Sequence, residues 1–133
     1  MNSKPIIIVA GEPKSIFLEI FIKAIKNKKY KSPIILICSK KLVELEIKKK
    51  NVKIKINTID KKNIFLEKKL NNHMINLIDV EYKKIKGINE IKTSQQYIEN
   101  CFKIAFMILK KKITHKFING PISKKKFLNK KFL

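Results

Sequence analysis

The chain contains no arginine and no tryptophan, and its 133 residues include only three glycines, four prolines, two cysteines and ten acidic side chains. Each scarcity excludes something. Without arginine there is no planar fork to grip phosphates or guanine edges bidentately, which weakens a nucleic-acid reading of the net charge of +22. The single glycine of Gly11-Glu12-Pro13 cannot supply the G-x-G-x-x-G dinucleotide fingerprint, and no Gly-Lys-Ser/Thr of a phosphate-binding P-loop is present. Cys38 falls at a predicted strand end and Cys101 on the apolar face of a predicted helix, so both are expected as reduced core thiols of a cytoplasmic protein. No apolar run approaches the ~20 residues that span a bilayer. The run after Lys4 is too short for a signal-peptide core, and no membrane partner is expected.

What the chain has in excess is lysine. All 32 basic residues are Lys, and together with 26 Ile and 12 Asn they fill 70 of 133 positions. All three residue types are encoded by A/T-rich codons, so base composition accounts for the charge without any polyanionic partner. The lysines are spread along the chain, and most aromatics belong to apolar patterns rather than alternating with Lys as a stacking platform. A small basic α/β module for nucleic acid is therefore the alternative, and a solvated lysine surface is the expectation. With 44% hydrophobic residues in 15.6 kDa, the chain can bury the core of one domain.

The β-branched run Ile6 to Ala10 predicts a strand covered on both faces. Phe17, Leu18, Phe21, Ile22 and Ile25 recur at helical spacing after it. Ile34 to Cys38 predicts a second buried strand, and Ser39 a cap for a helix to about Lys50. Val52 to Asn57 alternates, which fits a strand near a sheet edge. Ile75 to Val80 is another strand, followed by a loop at Gly87.

Ile98, Cys101, Phe102, Ala105, Phe106 and Leu109 predict a long helix from about Ser94 to Lys112, with Thr93 and Gln96 at capping-box spacing. Phe117-Ile118 is read as a buried strand that leads into Asn119-Gly120-Pro121 and a Lys-headed helix. The order is that of an α/β layered fold with a mostly parallel sheet and no internal domain boundary over 1–133. The terminal Phe127-Leu-Asn-Lys-Lys-Phe-Leu133 has the look of a helical segment in need of a packing partner, as in a fragment.

Two strand ends carry the candidate chemistry. At the carboxyl end of the first strand, Gly11-Glu12-Pro13 is expected to open a helix, where backbone N–H groups and the dipole favour an anion. Glu12 could orient a substrate or cap local N–H groups. Asn119-Gly120-Pro121 leaves the last strand at the corresponding end, with Ser123 as a cap and Lys124 in the first helical turn, an unfavourable place for a cation unless it helps hold an anion. His73 and His115 have no Cys or carboxylate at ligand spacing and are expected on the surface, so no residue is assigned to a metal. Asp79 ends a strand, with a helix-facing or turn role preferred over that of a site acid.

Gly11-Glu12-Pro13 with Glu19, and Ile118-Asn-Gly-Pro-Ile-Ser-Lys124 about a hundred residues later, resemble the 4-hydroxythreonine-4-phosphate dehydrogenase family of vitamin B6 biosynthesis. Family members open with a strand and Gly-Glu-Pro-Ala-Gly-Ile-Gly-Pro-Glu, and later carry a strand ending in Thr-(Ala/Gly)-Pro-(Ile/Val)-x-Lys. The resemblance implies an isocitrate/isopropylmalate-dehydrogenase-like fold, here incomplete. It also implies NAD- or NADP-dependent oxidation of a small phosphorylated substrate, 4-phosphooxy-threonine, with a divalent metal and a homodimer. Residues expected to bind substrate or cofactor are Gly11, Glu12, Asn119, Gly120, Pro121 and Lys124.

The chain departs from the pattern at Lys14-Ser15-Ile16-Phe17-Leu18, which replaces the family's Ala-Gly-Ile-Gly-Pro and removes two glycines. The family's Gly-His-Thr-Glu segment, metal histidines and cofactor contacts come later than Leu133. The chain is accordingly expected to be the N-terminal part of a longer dehydrogenase, inactive by itself, with its catalytic groups beyond Leu133.

Overall fold

Runs of Ile, Leu and Val too uniformly apolar to leave a face in water form the centre of a parallel sheet, and the two amphipathic patterns that flank them form its cover. The computed structural model describes residues 4–27, 31–62, 70, 73–84 and 86–122. The elements are β1 (Ile6–Val9), α1 (Phe17–Lys26), β2 (Ile34–Cys38), α2 (Lys40–Lys50), β3 (Lys55–Thr58), β4 (Met74–Asp79), α3 (Glu90–Lys110) and β5 (Phe117–Asn119). The strands lie in the order β3-β4-β2-β1-β5, and every pairing is parallel. The expected α/β layered architecture is the one observed.

Alternate side chains divide the core into two layers. On one face Ile8, Leu36, Ile75 and Leu77 meet Leu18, Phe21, Ile22 and Ile25 of α1 and Val43 of α2. On the other, Ile7, Val9, Ile35, Ile37 and Ile78 meet Tyr97, Ile98, Cys101, Ala105 and Ile108 of α3. All five residues of β2 are buried, which is why its sequence shows no alternation. Each such Ile or Leu contributes about 1.5–3 kcal/mol by leaving water. The buried amide of Asn76 is satisfied: it donates to the Ile34 carbonyl at 3.0 Å and accepts from Asn57 at 3.1 Å.

Several expectations need correction. The long helix starts at Glu90, a turn before Ser94, because Asn89 and not Thr93 is its cap: the Asn89 side chain accepts from the Lys92 N–H at 2.8 Å. Thr93 lies inside the helix and donates its hydroxyl to the Asn89 carbonyl. The buried stripe of α3 runs through Tyr97, Ile98, Cys101, Ala105 and Ile108, while Phe106 is 56% exposed. β5 is an edge strand, not a buried one, and Ile118 is 50% exposed. β3 begins at Lys55, later than its alternation suggested, and does lie at an edge. Ser39 caps α2 as expected, accepting from the Leu42 N–H. The helix expected after Pro121 lies outside the described residues.

Candidate functional site

Parallel strands all present their carboxyl ends to one side of the sheet, and a ligand crevice forms there when neighbouring strands exit toward opposite faces. Among the described residues two places meet this condition. β2 exits into α2 and β4 into α3, on opposite faces. β1 exits toward α1, whereas Ile122, just past β5, packs against the core on the α3 side.

At the second of these places, β1 and β5 are neighbours, with Val9 beside Asn119. The structure thus brings five of the six sequence candidates together. The Glu12 N–H donates to the Pro121 carbonyl at 2.8 Å, and the Gly120 N–H to the Val9 carbonyl at 2.6 Å. Asn119 donates its side-chain amide to the Gly120 carbonyl at 2.9 Å. Gly11 has φ +84, and a Cβ there would stand 2.8 Å from the Gly120 carbonyl carbon. A Cβ on Gly120 would stand 2.7 Å from the Ala10 carbonyl carbon and 3.0 Å from the Phe17 ring. The two glycines are therefore where two backbones touch, and the amides of Glu12 and Gly120 are spent on protein carbonyls. Lys124, the sixth candidate, lies outside the described residues.

The Gly-Glu-Pro turn does not open the helix as expected. α1 begins at Phe17 with Ile16 as its N-cap residue, and the intervening loop is fastened to itself. Ser15 donates its hydroxyl to the Glu12 carbonyl at 2.9 Å and accepts from the Phe17 N–H at 3.3 Å. Lys14 pairs with Glu90 in the first turn of α3. The hydrogen bond and charge of Glu90 raise the Lys14 pKa. Lys14 thus ties this loop to α3, Ser15 fastens it to itself, and Phe17 fills the space beside Gly120.

The crevice between β2 and β4 is built from side chains, and sequence reasoning missed most of it. Tyr97 of α3 is buried, and its hydroxyl accepts from the Ser39 N–H at 2.9 Å and donates to the Cys38 sulfur at 3.4 Å. Burial pushes the Tyr97 hydroxyl up, with the neighbouring thiols adding to the shift. Burial also pushes the Cys38 thiol up to about 11 and the Cys101 thiol up to about 12, so both are neutral, as core thiols should be.

Exposed Asp79, at the end of β4, accepts from the Lys40 N–H at 2.8 Å and so occupies the first turn of α2. This is the helix-facing role preferred for it. Tyr82, on the loop after β4, packs its ring at a tilt of 56° against Tyr97, with 5.2 Å between ring centroids. The findable signal was Asp79 together with Ser39, a strand-end acid and a strand-end cap on two of the predicted strands. Tyr97 gave none, because on a helix an aromatic facing the core and one reaching a strand end look alike.

His73 and His115 are exposed, and no group of three or more His, Cys, Asp or Glu able to hold a metal occurs among the described residues. No described helix is long and apolar enough to cross a membrane.

This architecture matches that of solved enzymes. It superposes over 98% of the chain on a 4-hydroxythreonine-4-phosphate dehydrogenase from Burkholderia phymatum, with a TM-score of 0.73 and 14% identity, covering 40% of that protein. Over 96% of the chain it superposes on the 4-hydroxythreonine-4-phosphate dehydrogenase from Klebsiella pneumoniae, with a TM-score of 0.74 and 16% identity, again covering 40%. No family model and no curated protein matches the sequence. The likeness at these identities is one of fold, and the chain spans about 40% of the length of the dehydrogenases it matches.

Proposed function

We propose that this chain is the N-terminal α/β portion of an NAD- or NADP-dependent dehydrogenase that oxidises 4-phosphooxy-threonine or a closely similar phosphorylated hydroxy-amino acid. The observation that carries the reading is the β1–β5 junction. Two motifs about a hundred residues apart, each resembling the pattern of the same family, meet through the Glu12–Pro121 hydrogen bond in a fold shared with two such dehydrogenases. Gly11, Gly120 and Pro121 would build the junction. Glu12, Asn119 and Lys124 would present side chains at its rim, with Lys124 on the substrate phosphate.

In such an oxidation the nicotinamide accepts a hydride from the carbinol carbon, and the hydroxyl proton leaves to a base. The described residues do not fit a metal ion, so any Lewis acid would be held by other parts of the protein. The described residues would build one wall of the site and exclude water from it, leaving the substrate phosphate to Lys124. A homodimer and a cytoplasmic location belong to the same reading.

The test is NADH production from 4-phosphooxy-threonine by the product of the complete reading frame containing residues 1–133. A frame that continues into a Gly-x-Thr-Glu segment and later histidines, and yields an active product, supports the proposal. A frame without them, whose product neither forms NADH nor is stabilised by the substrate, overturns it.

A further inference from the structure

Two tyrosines meet near the carboxyl end of β2, and their hydroxyls fare differently. Tyr97 uses its hydroxyl twice, accepting from the Ser39 N–H and donating to the Cys38 sulfur. Tyr82, whose ring packs on Tyr97, holds a hydroxyl oxygen that is shielded from solvent and has no hydrogen-bond partner among the described residues. An orphaned hydroxyl of this kind destabilises a fold, and native proteins keep few of them without a use. Packing alone does not explain a tyrosine here, since phenylalanine would keep the ring contact and remove the unpaired group.

The strand order places this hydroxyl among charges. β2 lies between β1 and β4, so the loops that leave those two strands converge over its end. From the β1 loop comes Lys14, which pairs with Glu90 in the first turn of α3. From the β4 loop come Tyr82 itself and exposed Lys84. Glu90 raises the Lys14 pKa, and Lys84 and Tyr82 stand close enough to enter the same balance. In a chain with 32 lysines two such side chains carry little by themselves. The orphaned hydroxyl beside them is what singles out this pair.

We propose that Lys14, Lys84 and the Tyr82 hydroxyl form a binding site for the dianionic group of a phosphate monoester. That group presents three terminal oxygens, one for each donor, whereas a carboxylate presents two. Glu90 marks the position, because its carboxylate already holds Lys14 and gives way to the more highly charged phosphate. The exchange costs little: the Lys14 and Glu90 side chains are 62% and 50% exposed, and an ion pair in water is weak. None of the three donors belongs to the β1–β5 junction, so the site stands or falls independently of the motifs that carry the dehydrogenase reading.

Isothermal titration calorimetry of inorganic phosphate into the full 133-residue chain tests this, at a pH where phosphate is a dianion and with sodium chloride holding the ionic strength constant. One saturable site is expected. It should weaken at least ~10-fold in Tyr82→Phe and in Lys14→Gln, and stay unchanged in Lys26→Gln at the last residue of α1. Urea unfolding of ligand-free Tyr82→Phe is expected to show a midpoint equal to or above that of the unaltered chain, since the substitution removes an unpaired group. Absence of a saturable site, or a site that survives Tyr82→Phe, would overturn the proposal. So would displacement of phosphate by acetate at a similar concentration, which would assign the donors to any small anion. A lowered urea midpoint in Tyr82→Phe would overturn it as well, by showing that the free protein already gives the hydroxyl a partner.

Discussion

The two crevices at the carboxyl end of the sheet are closed by different means, and the difference separates what glycine does from what side chains do. Between β1 and β5 closure is backbone on backbone: Gly11 and Gly120 let two loops touch, and two short hydrogen bonds hold them. Between β2 and β4 closure is made by Tyr97, Ser39 and Asp79, which gather amides and a thiol from three elements. The first arrangement tolerates no added atom. The second tolerates substitution one hydrogen bond at a time, and its outer acid still faces water. A ligand contact is therefore easier to gain or lose at the second than at the first.

The contrast breaks most sharply at the glycines. Gly120→Ala would drive a methyl group into the Ala10 carbonyl and against Phe17, with backbone on one side that cannot swing away. A loss of about 4 kcal/mol is expected, large against the total stability of a domain this size. Gly11→Ala adds the strain of a side chain at φ +84 to its overlap with Gly120 and Pro121, and is expected to cost about 3 kcal/mol. Urea unfolding monitored by circular dichroism gives both values. A cost below about 1 kcal/mol at either position would mean that the junction opens freely, as a ligand cradle does and a structural seam does not.

The side-chain crevice responds next, and first to pH. In the unfolded chain a thiol titrates near 9.0, whereas burial pushes Cys38 up to about 11. Above pH 9.0 the unfolded chain gives up this proton while the folded chain keeps it, so the contribution is complete below that pH and is lost as pH rises to about 11. The expected loss is about 2–3 kcal/mol. Cys38→Ala removes it, so the gap between the two unfolding curves should narrow or reverse with rising pH over this window. Tyr97→Phe would leave the Ser39 N–H buried without its acceptor and the Cys38 sulfur without its donor. It is expected to cost about 2 kcal/mol at neutral pH, measured by the same unfolding experiment.

The sequence announced these two crevices unevenly, for a physical reason. Strand interiors were readable because parallel strands need apolar residues on both faces: Ile34 to Cys38 was placed residue for residue. The β1–β5 loops were readable because Gly and Pro mark turns wherever they fall. Which neighbour each strand takes was not readable, and with it went the edge position of β5 and the exposure of Ile118. The start of α3 was misplaced because Asn89 and Thr93 are both competent caps four residues apart. The choice goes to Asn89 because Thr93 is needed inside, where it is buried. Tyr97 was invisible because its hydroxyl finds Ser39 across 58 positions of sequence, a distance no local pattern encodes.

The smallest expected effect is also the one that separates structure from function most cleanly. α2 has no acidic residue in its first turn, and Lys40 and Lys41 stand where the dipole is least favourable to them. Asp79 supplies the missing negative charge from β4, through its bond to the Lys40 N–H at 2.8 Å. Asp79→Asn keeps an oxygen acceptor for that N–H and removes only the charge. The expected cost is about 0.5 kcal/mol, shrinking further in high salt because the group is exposed. Measured at low and at high salt, a small and screenable loss identifies Asp79 as a helix-end charge and nothing more. On the proposed function, if the product of the complete reading frame bearing Asp79→Asn instead loses NADH production while its unfolding curve barely moves, the carboxylate does chemistry at the β2–β4 crevice. The working site would then extend beyond the glycine junction that its motifs advertise.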